Sequence, residues 1–215
     1  MLVIDRSGSM ADATTDGYQK WMSLVAALRE TLPRVDDAID LGLVLFPRQD
    51  LGGGVCDVGS ASDLAPGPHR AAAVLAALEG SFPAGATPTY AALDVAARRL
   101  LEAPDRTGEL ALIVATDGAP NCNLSLDREA CRCTSPFGRP CTDPAPELGG
   151  INCLDGDRAV AYVSALRAMR GVSTYVIGLN GVQDFGDVLD AMAAAGGHPR
   201  ATPPRYYSAN TAAEL

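Results

Sequence analysis

Two short stretches of this sequence end an apolar run on an acid. "LVID" delivers Asp5, and the turn after it, "RSGS", sets Ser7 and Ser9 on either side of Gly8. "LALIVATDG" delivers Thr116 and Asp117. Between these two in the chain, "GATPTY" offers Thr87 and Thr89 just ahead of a helical stretch. All are hard oxygen donors without histidine or cysteine, a set that selects Mg2+, Mn2+ or Ca2+ over zinc or copper. Within the group Asp5, Ser7, Ser9, Thr87 and Asp117, only the two aspartates carry charge. An ion held so sparingly keeps a coordination position open and attracts a carboxylate from outside.

Those donors meet only if the elements carrying them are neighbours. Apolar runs alternate with helical spacings along the whole chain. "LVID", "IDLGLVLFP", "ELALIVATDG", "VSTYVIGL" and "RYYSA" read as strands, the third as a parallel strand covered on both faces. "GYQKWMSLVAALRETL" has Trp21, Met22, Val25, Leu28 and Leu32 at helical spacing, with Pro33 expected to end it. "RAAAVLAALEGS", "PTYAALDVAARRLLEA", "DRAVAYVSALRAMRG" and "FGDVLDAMAAAGG" read as further helices, and the closing "NTAAEL" as the start of another. The segment "DLGGGVCDVGSASDLAPGPH" reads as a Gly-rich loop. This alternation predicts an α/β fold, a Rossmann-like doubly wound, mostly parallel sheet flanked by helices. In such sheets ligands bind beyond the carboxyl ends of the strands, where the strand order reverses. Adjacency of the first strand and "LALIVAT" would bring the donors together there.

The 215 residues suit a single domain, 1–215, interrupted by a cysteine-rich insertion at about 119–156. A net charge of -9 disfavours a nucleic-acid or anionic-membrane partner, and no apolar run approaches the about 20 residues of a bilayer span. The chain starts directly in a strand without a charged leader, so Met1 is expected to mark a boundary within a longer protein. Cys56, Cys122, Cys131, Cys133, Cys141 and Cys153 are even in number and mostly confined to a Pro/Gly-rich stretch. Disulfides in an oxidising compartment are the expectation, with the connectivity open. The competing zinc reading is weakened because Cys131 and Cys133 form C-x-C, with neither a C-x2-C pair nor a nearby histidine. Asn123-Leu124-Ser125 is formally a glycosylation acceptor, but the Ala/Arg/Gly/Pro-rich composition points to a bacterial source and lowers its weight. Tyr206 and Tyr207 are expected to pack on the edge strand.

Catalytic machinery is sparse. A phosphoryl-transfer enzyme of the haloacid-dehalogenase type would carry D-x-D-x-T, whereas Ser7 stands where the second acid belongs. There is no G-x-S-x-G elbow, His69 and His198 lie in unrelated loops, and neither nucleotide glycine motif is present. The chain is expected not to be an enzyme.

"DRSGSM", "GATPTYAAL" and "VATDG" together resemble the three parts of the metal-ion-dependent adhesion site of von Willebrand factor A-type domains, the integrin I-like fold. The resemblance runs from the first strand to the last. It implies a divalent cation, Mg2+ or else Mn2+ or Ca2+, held by Asp5, Ser7, Ser9, Thr87 and Asp117 and completed by an acidic residue of a protein partner. In that family the hydroxyls usually touch the metal and the aspartates often act through water. Thr89 is the alternative to Thr87. Asp12 stands where some members place an acid for a second metal, but Ala13 departs from that pattern and Asp12 suits a helix entry. The insertion after Asp117 is not part of the minimal fold. It is expected on the rim of the metal face, carrying either ligand specificity or only rigidity, and Cys56 is placed to tie its own loop to it. The expectation is therefore an extracytoplasmic, secreted or cell-surface adhesion module. The alternative is an intracellular adaptor of an ATPase or metal-insertion machine, separable by the oxidation state of the cysteines.

Overall fold

The computed structural model describes residues 1–14, 16–49, 54–103, 108–134, 141 and 150–209. In chain order the elements are β1 (Leu2–Asp5), α1 (Lys20–Val35), β2 (Leu41–Phe46), β3 (Leu64–Gly67), α2 (Ala71–Glu79) and α3 (Thr89–Glu102). They continue with β4 (Ala111–Thr116), α4 (Gly156–Arg170), β5 (Ser173–Leu179), α5 (Gly186–Gly196) and β6 (Tyr207–Ala209). One sheet runs β3-β2-β1-β4-β5-β6. Only β3 is antiparallel to its neighbour. The chain winds outward from β1 to β2, then returns to the other side of β1 with β4. The strand order therefore reverses between β1 and β4, which pair in the register Leu2↔Ile113, Val3↔Val114, Ile4↔Ala115. That crevice is where a doubly wound sheet places its ligand.

The strands stay put because alternate residues bury on opposite faces. Val3, Val44, Phe46, Leu112, Val114 and Val176 join the core layer under α3, α4 and α5. Leu2, Ile4, Leu43, Leu45 and Ala115 join the layer under α1 and α2, with Trp21, Leu24, Val74 and Leu78. A one-residue slip of β1 would exchange the two sets and turn Asp5 to the wrong face. No helix among the described residues is long and apolar enough to cross a membrane.

The structure corrects the sequence reading at two elements. α1 begins at Lys20, because Gly17 and Tyr18 close a turn with Thr14, and it runs through Pro33 to Val35. Placed in the last turn, the proline forfeits one hydrogen bond without stopping the helix. The buried stripe of α1 includes Leu24, while Met22 faces out. The Gly-rich loop contains β3, "LAPG", an edge strand where Pro66 is tolerated. The expected closing helix lies outside the described residues. All six cysteines are paired, as Cys56–Cys122, Cys131–Cys153 and Cys133–Cys141. The sulfurs of Cys131, Cys141 and Cys153 lie within 4.8 Å of one another, but each is bonded in a disulfide and so lacks the thiolate zinc requires.

Candidate metal centre

Asp5 ends β1 and is fully buried. Its Oδ1 accepts the Ser7 amide at 2.7 Å, and its Oδ2 accepts the Thr116 hydroxyl from the end of β4 at 2.6 Å. A short 3-10 turn, Gly8–Ala11, follows at once and folds Ser9 back beside Ser7. Their Oγ atoms are 3.2 Å apart, and the Ser9 hydroxyl donates to Asp117 Oδ1 at 2.9 Å. The third segment arrives through the backbone: the Gly8 amide donates to Gly85 O at 3.0 Å. A Cβ placed on Gly118 would lie 3.5 Å from Thr87 Oγ1 and 3.8 Å from Ser9 Oγ, so both hydroxyls border the same small space above Gly118. The residues Asp5, Ser7, Ser9, Thr87 and Asp117 thus converge. Thr89 does not join them; its hydroxyl donates to Thr87 O at 3.4 Å inside the first turn of α3. Asp12 is exposed and stands 3.8 Å from Lys20 Nζ.

Lys20 is the unexpected member. Its Nζ bonds Asp117 Oδ2 at 2.7 Å, and both side chains are almost wholly buried. Gly181, at φ +111°, makes room for it: a Cβ there would come within 2.9 Å of that ammonium. The two carboxylates are consequently unequal. Burial, then the Asp117 charge, pushes the Asp5 carboxyl from the ordinary 3.8 up to about 7, against the hydrogen bonds from Thr116 and Ser7. Burial also raises Asp117, opposed by the Lys20 ammonium and the Ser9 hydroxyl. Lack of water disfavours the charged form of both acids, and Asp5 lacks in addition the cationic partner that Asp117 has in Lys20.

A hard cation would supply the charge that Asp5 lacks, and the donor set fits one. Oxygen ligands at about 2.1 Å in an octahedral shell sit about 3.0 Å from their neighbours. The Ser7–Ser9 and Ser9–Asp117 oxygen separations of 3.2 and 2.9 Å match two such edges. Asp5, Ser7, Ser9, Thr87 and Asp117 all offer oxygen, as Mg2+ and Mn2+ prefer.

Four supporting residues escaped the sequence reading of the site. Thr116 was visible as a strand end, but not as the donor to Asp5. Arg6 is buried and anchors the first loop, donating from Nε to Pro47 O at 2.9 Å and from Nη1 to Ser81 Oγ at 2.9 Å. Asn121 accepts the Thr87 amide on its Oδ1 at 2.8 Å. Lys20 reads as an ordinary polar residue at a helix start. Its only sequence signal is a cation flanked by "YQ" and "WM" at the amphipathic boundary.

No protein-family profile and no curated protein sequence matches this chain. Solved structures do match its fold. The pilus adhesin SpaC of Lactobacillus rhamnosus GG, in an open conformation, superposes with a TM-score of 0.67 at 17% identity over 99% of this chain and 28% of that one. The PilB minor pilin of Streptococcus sanguinis gives 0.61 at 19% identity, over 99% of this chain and 57% of that one. The vWF domain of the type V pili tip protein Mfa5 of Porphyromonas gingivalis gives 0.55 at 14% identity, over 99% and 90%. This chain has the fold of a von Willebrand factor A-type domain. It spans 28% of the SpaC chain and 57% of the PilB chain.

Proposed function

We propose that this chain is a divalent-cation-dependent protein-binding module, non-enzymatic and displayed outside the bacterial cytoplasm. The observation that carries this reading is the meeting of oxygen-bearing side chains from three chain segments, with the Ser7–Ser9 and Ser9–Asp117 oxygens at octahedral spacing, over two buried carboxylates of which only Asp117 has a cationic partner. Asp5, Ser7, Ser9, Thr87 and Asp117 would hold Mg2+, or Mn2+ or Ca2+ in its place. Bound there, the ion would act as an electrophile toward an acidic side chain of a partner. The chain's own charges favour that role. Lys20 offsets one of the two aspartates, so the protein leaves the ion a residual positive charge that a partner carboxylate can satisfy. The surface around it, in a protein of net charge -9, would otherwise repel that carboxylate.

The fold neighbours include a pilus adhesin and a pilus tip protein, which supports an adhesive role at a cell surface. The three disulfides support an oxidising location over an intracellular adaptor. Titration calorimetry of chelator-stripped protein with MgCl2 and MnCl2 tests the reading. Saturable binding at one site, abolished in Asp5→Ala while circular dichroism stays native, is the expected outcome. Absence of binding in the wild type, or its survival in Asp5→Ala, removes the metal from the account.

A further inference from the structure

Thr87 reaches the site on a backbone gripped from two sides. On one side, the Ala86 amide donates to Val55 O at 2.9 Å. On the other, the Thr87 amide donates to Asn121 Oδ1 at 2.8 Å, and the Asn121 amide returns a bond to Thr87 O at 2.9 Å. Val55 and Asn121 belong to loops far apart in sequence, yet the residue after each is a cysteine, and those two cysteines are bonded to each other. The result is a closed ring: Ala86 to Val55, Val55 to Cys56, the disulfide to Cys122, Cys122 to Asn121, and Asn121 back to Thr87. It is covalent except at the hydrogen bonds on Ala86 and Thr87.

The surroundings keep this ring in register. Gly85 takes φ +89°, and a Cβ there would lie 2.6 Å from Pro47 Cγ and 3.0 Å from Val55 O, so the chain turns into Thr87 through a slot that only glycine fits. Asn121 is 9% exposed and donates from Nδ2 to Thr134 Oγ1 at 3.1 Å, which orients its amide with Oδ1 toward Thr87. Cys122 holds φ +75° while its amide donates to Ile151 O at 2.9 Å. The other two disulfides lie within the insertion, and among the described residues no backbone hydrogen bond joins their cysteines to Thr87.

We propose that the Cys56–Cys122 disulfide and Asn121 are positioning elements for Thr87, prefixing its hydroxyl for the metal so that binding does not have to order the loop. This inference rests on the metal reading above, since it assigns a purpose to the conformation of one proposed ligand. The physical reason is entropic. Without the cross-link, the loop bearing Val55 and the strand-exit segment bearing Asn121 separate independently, and Thr87 loses its fixed backbone. Ordering one residue again on binding lowers affinity by about tenfold, or about 1.4 kcal/mol.

The test is a double-mutant cycle read by calorimetric titration of stripped protein with MnCl2. Cys56→Ser/Cys122→Ser should bind about tenfold more weakly than wild type, whereas Cys131→Ser/Cys153→Ser should stay within about twofold. Thr87→Ala should also bind more weakly, and adding the Cys56/Cys122 pair to it should cost nothing further. Equal affinity of Cys56→Ser/Cys122→Ser and wild type overturns the proposal. So does a tenfold loss that persists undiminished in the Thr87→Ala background, because the disulfide would then act on the whole domain. If the serine pair does not fold, Asn121→Ala, which keeps the disulfide, enters the same cycle with the same expectation. Amide hydrogen exchange on metal-free protein separates this inference from the metal reading. Faster exchange at Thr87 in the serine pair is expected, and unchanged exchange overturns the clamp even if the wild type binds metal. A wild type that binds no metal removes both the ligand role and its positioning.

Discussion

At the carboxyl end of β1, Asp5 is held by a backbone amide and a threonine hydroxyl, both neutral; one strand over, Asp117 is held by the buried Lys20 ammonium. The two carboxylates sit in the same crevice and belong to the same proposed shell, yet they differ in what compensates their charge. Neutral donors fix the direction of a carboxylate without cancelling its field, whereas an ammonium does both. The site therefore contains one acid held by neutral donors and one already partnered by a cation. It follows that losing either acid should have the same effect on metal binding and opposite effects on the empty protein.

The largest expected contrast comes from exchanging each acid for its amide. Asp117→Asn should lose measurable metal binding and also strand the Lys20 ammonium, costing roughly 3–5 kcal/mol of unfolding free energy in EDTA. Asp5→Asn should lose metal binding as well, but keep or gain stability in EDTA because a poorly compensated charge disappears. Urea denaturation of both variants checks this, and equal losses would break the comparison.

Replacing Lys20 by methionine sharpens it. A unit charge about 5 Å from another is worth about 3 kcal/mol at an effective dielectric of about 20. Lys20→Met should therefore destabilise the chelated protein yet bind Mg2+ at least about tenfold more tightly. Weaker Mg2+ binding in this variant would show that the ammonium organises the site instead of competing for Asp117.

Next in size is the pH dependence. Asp5 has its folded-state pKa raised from 3.8 to about 7, so the folded protein holds a proton that the unfolded chain has released across that interval. Its contribution to stability is fully present below 3.8 and is lost as pH rises through about 7. Melting temperature in EDTA should fall between pH 5 and pH 7.5, with Asp5→Asn flattening most of the slope. Saturating Mg2+ should reverse it, because the ion binds only the deprotonated form. The smallest effect is expected from Thr116→Val, which takes one hydrogen bond from Asp5 and costs about 1 kcal/mol.

What could be read in advance follows the range of the interactions. Asp5 and Asp117 were legible because a strand that buries both faces announces where it ends, and the acid comes immediately after. Ser7 and Ser9 were legible because their spacing around Gly8 is local. Lys20 and Asn121 were not, since each acts on a residue brought close only by tertiary folding, and each has a commonplace local role. β3 was hidden for a related reason: "LAPG" has weak strand propensity, and its pairing with β2 depends on a loop returning to the sheet edge. The cysteines revealed that they would pair, and the tie expected between the Cys56 loop and the insertion is the Cys56–Cys122 bond, but which cysteine each would meet was not legible, because that is set by how the insertion lies on the scaffold.

Pro66 in the outermost strand has its own consequence. An unpaired sheet border invites another chain to dock by main-chain bonding, and a proline in the border strand leaves it one amide fewer. Copies of this domain at high concentration would find that border a poor template for stacking.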